Sequence, residues 1–246
     1  MKMSRNPGRR CAFLVGICTV GMVALVLAAP AGAVSGRPAG PLGQVLEQMD
    51  AAAKNFHSAQ AEFQWDQYER VVENTDTQKG AIYFLRSGNT TEMAARVKQF
   101  NGQPDAKDVV YKDGVLQFYQ PKIEQMTIFH AGRNQQQFES FLTLGFGGSG
   151  SDLEKNWEIT YQGAETIDGV KTAKLDLVGK QASVRNMFTH VTIWVDPTRA
   201  ISLKQQFFEP SGDVRTAFYR NIRYNQKVAV SVFRIKTTSK TTVVQK

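Results

Sequence analysis

Beyond residue 57 the chain is written mostly in a period of two. Ala61, Phe63 and Trp65 alternate with Glu62, Gln64 and Asp66, the signature of a strand with one face in water. The same reading extends through QKGAIYFLRSG, TEMAARVKQF, WEITYQGAETI, VKTAKLDLVG, HVTIWVD, ISLKQQFFEP, VRTAFYRNIRYN and a final strand at VSVFRIK. Asp113-Gly114 and Asp168-Gly169 are two-residue hairpin turns, and Asp196-Pro197 and Ser211-Gly212-Asp213 mark two further reversals. A period of 3.6 holds over residues 41–56. There Leu42, Val45, Leu46, Met49, Ala52, Ala53 and Phe56 share one stripe opposite Glu47, Gln48 and Lys54, which predicts an amphipathic helix. Residues 134–156 interrupt the strands. Phe138, Phe141 and Leu142 suit a short helix ended by GFGGSGS, and SDLEKN suits another with Ser151 as its cap. These elements predict one large, curved antiparallel sheet or open barrel over residues 58–237, with residues 42–56 across its opening.

Several strands depart from clean alternation. In DVVYKDGVLQFYQPKIEQMTIF, Val115 and Tyr119 fall on one face of a strand while Leu116 and Phe118 fall on the other. Met126 and Ile128 oppose Phe129 in the next strand, and AIYFLR is apolar through five positions. A curling sheet accounts for such groups by giving its concave face a shared apolar interior. That interior is either an ordinary packed core or a cavity for an apolar ligand.

The start of the chain follows another logic. Lys2, Arg5, Arg9 and Arg10 precede an uncharged run, AFLVGICTVGMVALVLAA, and Ala31-Gly32-Ala33 follows. This is the three-part pattern of a secretory signal peptide cut after Ala33. The run is about as long as a short membrane helix, so an uncleaved anchor is the competing reading. Cleavage leaves 213 of the 246 residues as one domain over 42–237, with a Gly/Pro-rich flexible lead at 34–41 and a polar tail at 238–246. Both cysteines, Cys11 and Cys18, fall within the signal, so the exported chain is expected to rely on its core and to be monomeric without disulfides. The first 33 residues carry four basic and no acidic side chains, which takes the formal net charge from +8 to +4. That mild surplus, without a nucleic-acid motif and with export, speaks against nucleic acid.

Chemistry leaves little trace. His57, His130 and His190 stand singly, without metal-ligand spacing; no G-x-S-x-G elbow occurs. The glycines of GFGGSGS lack the Lys of a phosphate loop and read as a flexible connector. A non-enzymatic protein without cofactor or metal is expected, and a lipid hydrolase is disfavoured.

The order of these features resembles the LolA family of periplasmic carriers, which escort lipoproteins from the inner to the outer membrane. The resemblance runs over roughly residues 42–236. It is carried by FHSAQAEFQW after the first helix, by GAIYFLR, and most specifically by Val110, Asp113, Gly114, Tyr119, Pro121 and Gln125, with Leu116 one position early. Asp196, Ile201 and Gly212 in the late strands add a looser match. The resemblance implies a half-open, strongly curved β-barrel with a helical lid over an apolar cavity for acyl chains. It also implies an inner-membrane donor complex, an outer-membrane acceptor, and a lid latch at Arg86, where Ser87 replaces the family's usual Pro. Residues expected to touch the acyl chains are Trp65, Phe84, Phe118, Met126 and Ile128. A periplasmic lipid-binding sensor or interaction module of the same fold is the alternative.

Overall fold

The structure is a computed structural model and describes residues 37, 40–88, 90–132, 141 and 144–246. The signal segment and most of the helix expected around Phe138 and Leu142 lie outside the described residues. All elements belong to one compact unit, Pro38–Lys246. Helix α1 (Pro41–Lys54) is followed by six strands: β1 (Ser58–Glu69), β2 (Asn74–Ser87), β3 (Thr90–Phe100), β4 (Gln103–Lys112), β5 (Val115–Gln120) and β6 (Gln125–His130). Helix α2 (Gly150–Asn156) leads to β7 (Trp157–Ile167) and β8 (Val170–Gly179), then helix α3 (Ala182–Met187) to β9 (His190–Asp196), β10 (Ile201–Phe208) and β11 (Val214–Tyr224). The chain closes with β12 (Thr242–Gln245).

The twelve strands form one curved, unclosed sheet in the order β12-β6-β5-β4-β3-β2-β1-β11-β10-β9-β8-β7. Neighbours are antiparallel throughout except β12, which runs parallel to β6. Hairpin chemistry sets much of the register. Asp113-Gly114 and Asp168-Gly169 both take positive φ at each residue, as does Asn101-Gly102 between β3 and β4, the backbone of a tight type I′ turn. Pro41 opens α1, where its missing N–H costs nothing. Helix α2 is capped by Ser149, not Ser151: its hydroxyl accepts from the Asp152 N–H, and the Asp152 carboxylate accepts from the Ser149 hydroxyl at 2.6 Å.

The inner face of the sheet holds two clusters. Ala59, Ala61, Phe63, Ile82, Phe84, Met93, Ala95 and Tyr111 pack around Phe56 and Phe146 on the β1–β4 half. Leu46 and Met49 of α1 pack with Leu153, Leu175, Leu177, Val191, Ile193 and Val195 on the β7–β9 half. Curvature lets the three described helices and one loop reach both halves of this face.

The outer face uses two different coverings. Over β2–β4, Tyr83, Leu85, Ala94 and Val110 are roofed by Phe233 together with Val228, Val232 and Ile235. Arg96 clamps this roof by donating from Nη2 to the carbonyls of Val232 and Arg234. The segment expected as a final strand therefore turns through a short 3₁₀ helix at Val230–Phe233, and the polar tail supplies β12 on the β6 edge. Across the other half, Lys174, Trp194, Lys204, Phe218, Gln64 and Lys79 are successive cross-strand partners from β8 to β2. Lys204 Nζ lies 4.2 Å from the Trp194 ring centre and 5.7 Å from that of Phe218; Lys174 lies 5.1 Å from Trp194. Lysine stems thus clad the aromatic rings while their ammonium groups meet water.

This arrangement predicts unequal costs along the C-terminal segment. Phe233→Ala empties a buried site between the segment and the sheet, and should lower stability by about 3–5 kcal/mol in denaturant titration. Val243→Ser, on a side chain 54 % exposed in β12, should change it by no more than about 0.5 kcal/mol.

Candidate functional site

Where the two inner clusters meet, they do not close on each other. A cavity of about 380 Å³ lies between them, walled by Trp65, Ile82, Phe84, Met93, Ala217 and Tyr219 from the sheet. Phe141, Leu144, Phe146, Phe188 and Phe207 complete it. The aromatic rings hold one another in place. Phe84 stacks on Phe146 at 4.2 Å, and Phe146 meets Tyr219 edge-on at 4.8 Å. Phe188 touches both Phe141 and Phe207, at 5.9 and 5.2 Å between ring centres.

The few polar atoms inside satisfy each other. Tyr219 donates its hydroxyl proton to Gln205 Oε1 at 3.1 Å, and Gln205 Nε2 donates to the Leu144 carbonyl. Burial pushes the Tyr219 phenol well above its ordinary value, a rise that the hydrogen bond from Trp65 only partly offsets. These groups are mutually committed, so the interior offers an apolar surface. Polar lining residues gather instead at one end. Asp66, Gln67, Gln78, Arg215 and Thr216 lie on rungs toward the β1–β2 and β10–β11 turns, and we take this polar end as the mouth.

The opposite end is closed by a clasp. Arg86, at the end of β2, donates from Nη1 to the Ala53 carbonyl of α1 at 2.6 Å and from Nη2 to the Gly147 carbonyl at 2.7 Å. Its guanidinium lies 5.2 Å from the centre of the Phe56 ring. One side chain thereby joins the sheet, the end of the helix and the loop after residue 144. Desolvation lowers its pKa, with Asp152 and Tyr224 acting the other way; a guanidinium stays charged through neutral pH.

That loop is the GFGGSGS run, and it is no flexible connector. Phe146 is 1 % exposed, and its flanks bond to the β10 region: Ser202 donates to the Gly145 carbonyl and Gly147 donates to the Ala200 carbonyl. Gly145 and Gly147 have φ of +76° and +75°. A Cβ at Gly145 would fall 1.8 Å from Ser202 Oγ, and one at Gly147 would fall 2.3 Å from the Phe56 ring. The glycines are there because backbone presses against side chain.

Of the residues expected to face a ligand, Trp65 and Phe84 stand in the cavity wall. Phe118 is on the inner face, opposite Val109, but on β5 and outside the lining. Met126 and Ile128 are a correction: they point to the outer face. Met126 is the cross-strand partner of Tyr119 and of Val243 in β12, and Ile128 is that of Gln117, which pairs in turn with Val110 beneath Phe233. Both faces of β5 and β6 are apolar, so periodicity could not assign them. Phe146, Phe188 and Phe207 escape the sequence reading. Phe146 sits in a run that reads as linker, and Phe188 follows a helix too short to show a period. Among the described residues no group of three or more His, Cys, Asp or Glu is placed to hold a metal.

No family model matches the chain, and no curated protein does. Solved structures match by shape. An uncharacterized conserved protein from Thermus thermophilus superposes with a TM-score of 0.52 at 11% identity, over 82% of this chain and 98% of that one. MucB, also solved in complex with MucA from Pseudomonas aeruginosa, gives 0.50 at 14% identity, over 82% of this chain and 65% of MucB. A LolA superfamily protein from Nitrosomonas europaea gives 0.39 at 15% identity, over 80% and 99%. The fold shared with the Thermus thermophilus protein and with MucB is an open, strongly curved sheet with helices against its inner face.

If Arg86 holds the lid, Arg86→Ala should lower stability by about 2–4 kcal/mol, because two carbonyls at the α1 and loop ends lose charged donors. Amide exchange should then accelerate in residues 41–56 and 144–150 before the sheet. Since the guanidinium keeps its charge, exchange in the wild type should show no latch-dependent step between about pH 5 and 9 once intrinsic rates are corrected.

Proposed function

We propose that this protein is a periplasmic carrier that shields acyl chains of lipoproteins or other lipids and acts by transfer, without catalysis. The carrying observation is the cavity itself: apolar inside apart from the mutually bonded Tyr219–Gln205 pair, polar toward its mouth, and closed at the far end by elements that Arg86 helps clasp. Each CH₂ withdrawn from water is worth about 0.8 kcal/mol, so a free acyl chain does not cross an aqueous compartment unaided. A carrier must also release its cargo. The Arg86 clasp supports this, because two hydrogen bonds and one cation–π contact can break without disturbing the strand ladder. Transfer then follows the difference in affinity between donor, carrier and acceptor, with an inner-membrane donor and an outer-membrane acceptor at its ends. The signal-like start of the chain supports export to the periplasm.

A second reading is a lipid-responsive module that engages a protein partner. The shape likeness to MucB, whose structure was also solved with MucA, favours it, and it shares the same cavity.

Filling the cavity separates a binding site from a packed core. Ala217 lies between Trp65 and Gln205 on the cavity wall. Ala217→Leu should weaken binding of a fluorescent fatty acid at least about tenfold while costing less than about 1 kcal/mol of stability. In a filled core the same change overpacks, costing about 1–3 kcal/mol. Absence of probe binding by the wild type ends the carrier reading.

A further inference from the structure

The β1–β2 turn has an unusual composition for a hairpin tip. Such tips favour Gly, Asn, Asp, Pro and Ser, yet Val71 and Val72 occupy this one at 87 % and 63 % exposure. Of the eight large apolar side chains most exposed among the described residues, four lie at this end of the sheet: Tyr68, Val71, Val72 and Met187. This is the end that carries the polar residues of the cavity lining. Gln67 and Gln78, which line the mouth, continue directly into the tip on β1 and β2, and Met187 precedes the cavity-lining Phe188. The apolar groups are therefore contiguous with the mouth and not scattered over the surface.

The tip is also braced. The Arg70 N–H donates to Asp213 Oδ1 at 2.9 Å, and the Arg70 stem crosses Gly212, where an added Cβ would fall 2.7 Å from Arg70 Cδ. A turn tied to its neighbour can push side chains into another phase without folding back. Its charge is net negative. Arg70 and Arg215 face Glu69, Glu73, Glu209 and Asp213, with Arg215 paired to Glu209 at 2.7 Å.

We infer that this end docks on a lipid bilayer, with Val71 and Val72 entering the interface so that an acyl chain passes between membrane and cavity without crossing bulk water. The choice of a bilayer rests on the carrier reading, whose ligand resides in membranes. Two valines give weak and reversible docking, suited to a protein that must leave again, and the acidic surplus around them favours zwitterionic over anionic lipid, a preference that salt screens.

The test is flotation of the purified chain with phosphatidylcholine vesicles, alongside stopped-flow transfer of the fluorescent fatty acid to them. Wild type should co-float, and its transfer rate should rise with vesicle concentration. V71D/V72D should lower partitioning about tenfold or more and abolish the concentration dependence, with unchanged denaturation midpoint and unchanged probe affinity in solution. V71L/V72L should raise partitioning. Equal flotation of wild type and V71D/V72D, no flotation of either, or transfer only to vesicles carrying a membrane protein would each overturn the inference. Absence of probe binding in solution, with valine-dependent flotation intact, sinks the carrier reading and leaves the docking inference standing.

Discussion

Everything in this molecule answers to the problem of a wide sheet with too little helix. A twelve-stranded sheet presents two faces and two edges, and apolar area left in water costs about 25 cal/mol per Å². The three helices among the described residues cannot cover that. Curvature solves the inner face, because a bent sheet needs a plug and not a slab, and the plug is α1 with the Phe146 loop. On the outer face the solution divides. The C-terminal segment roofs β2–β4, and lysine stems shelter Trp194 and Phe218 farther along. The parallel β12 shields the β6 edge, where unpaired backbone groups would otherwise invite another strand.

The cavity follows from the same economy. The plug touches the two halves of the sheet through separate sets of side chains, Leu46 and Met49 on one side and Phe56 and Phe146 on the other. Among the described residues nothing large enough fills the space between them. Tyr219 and Gln205 occupy the seam, but they bond to each other and to the Leu144 carbonyl, so the space beside them stays greasy. A site of this kind needs no special residue. It needs a core with a gap.

How much of this could be read along the chain depended on whether a residue's partners were near it in sequence. The hairpins at Asp113-Gly114 and Asp168-Gly169, the stripe of α1, and the placing of Trp65 and Phe84 on an inward face are local patterns, and they were legible. The residues whose meaning comes from a distant contact were not. Met126 and Ile128 look like Phe118 in sequence; only the tail, more than a hundred residues later, decides which face they serve. Gly145 and Gly147 read as slack until Ser202 and Phe56 are brought against them. Arg86 was visible through resemblance alone, because its two carbonyl partners sit 33 and 61 residues away.

The pairing of β1 with β11 carries a consequence for how the molecule comes into being. Strands that wall the cavity from adjacent places in the sheet are separated by some 150 residues of chain, as Trp65 opposite Ala217 shows. Loop closure over such distances is entropically slow, and non-local antiparallel topologies fold on millisecond-to-second scales. The β1–β6 meander and the β7–β11 meander can each form from neighbours, whereas the seam between them needs strands from both. A growing polypeptide thus has no greasy hollow to fill until nearly its whole length is free of the ribosome. The cavity is in this sense a property of the finished fold, and no intermediate holding only one meander possesses it.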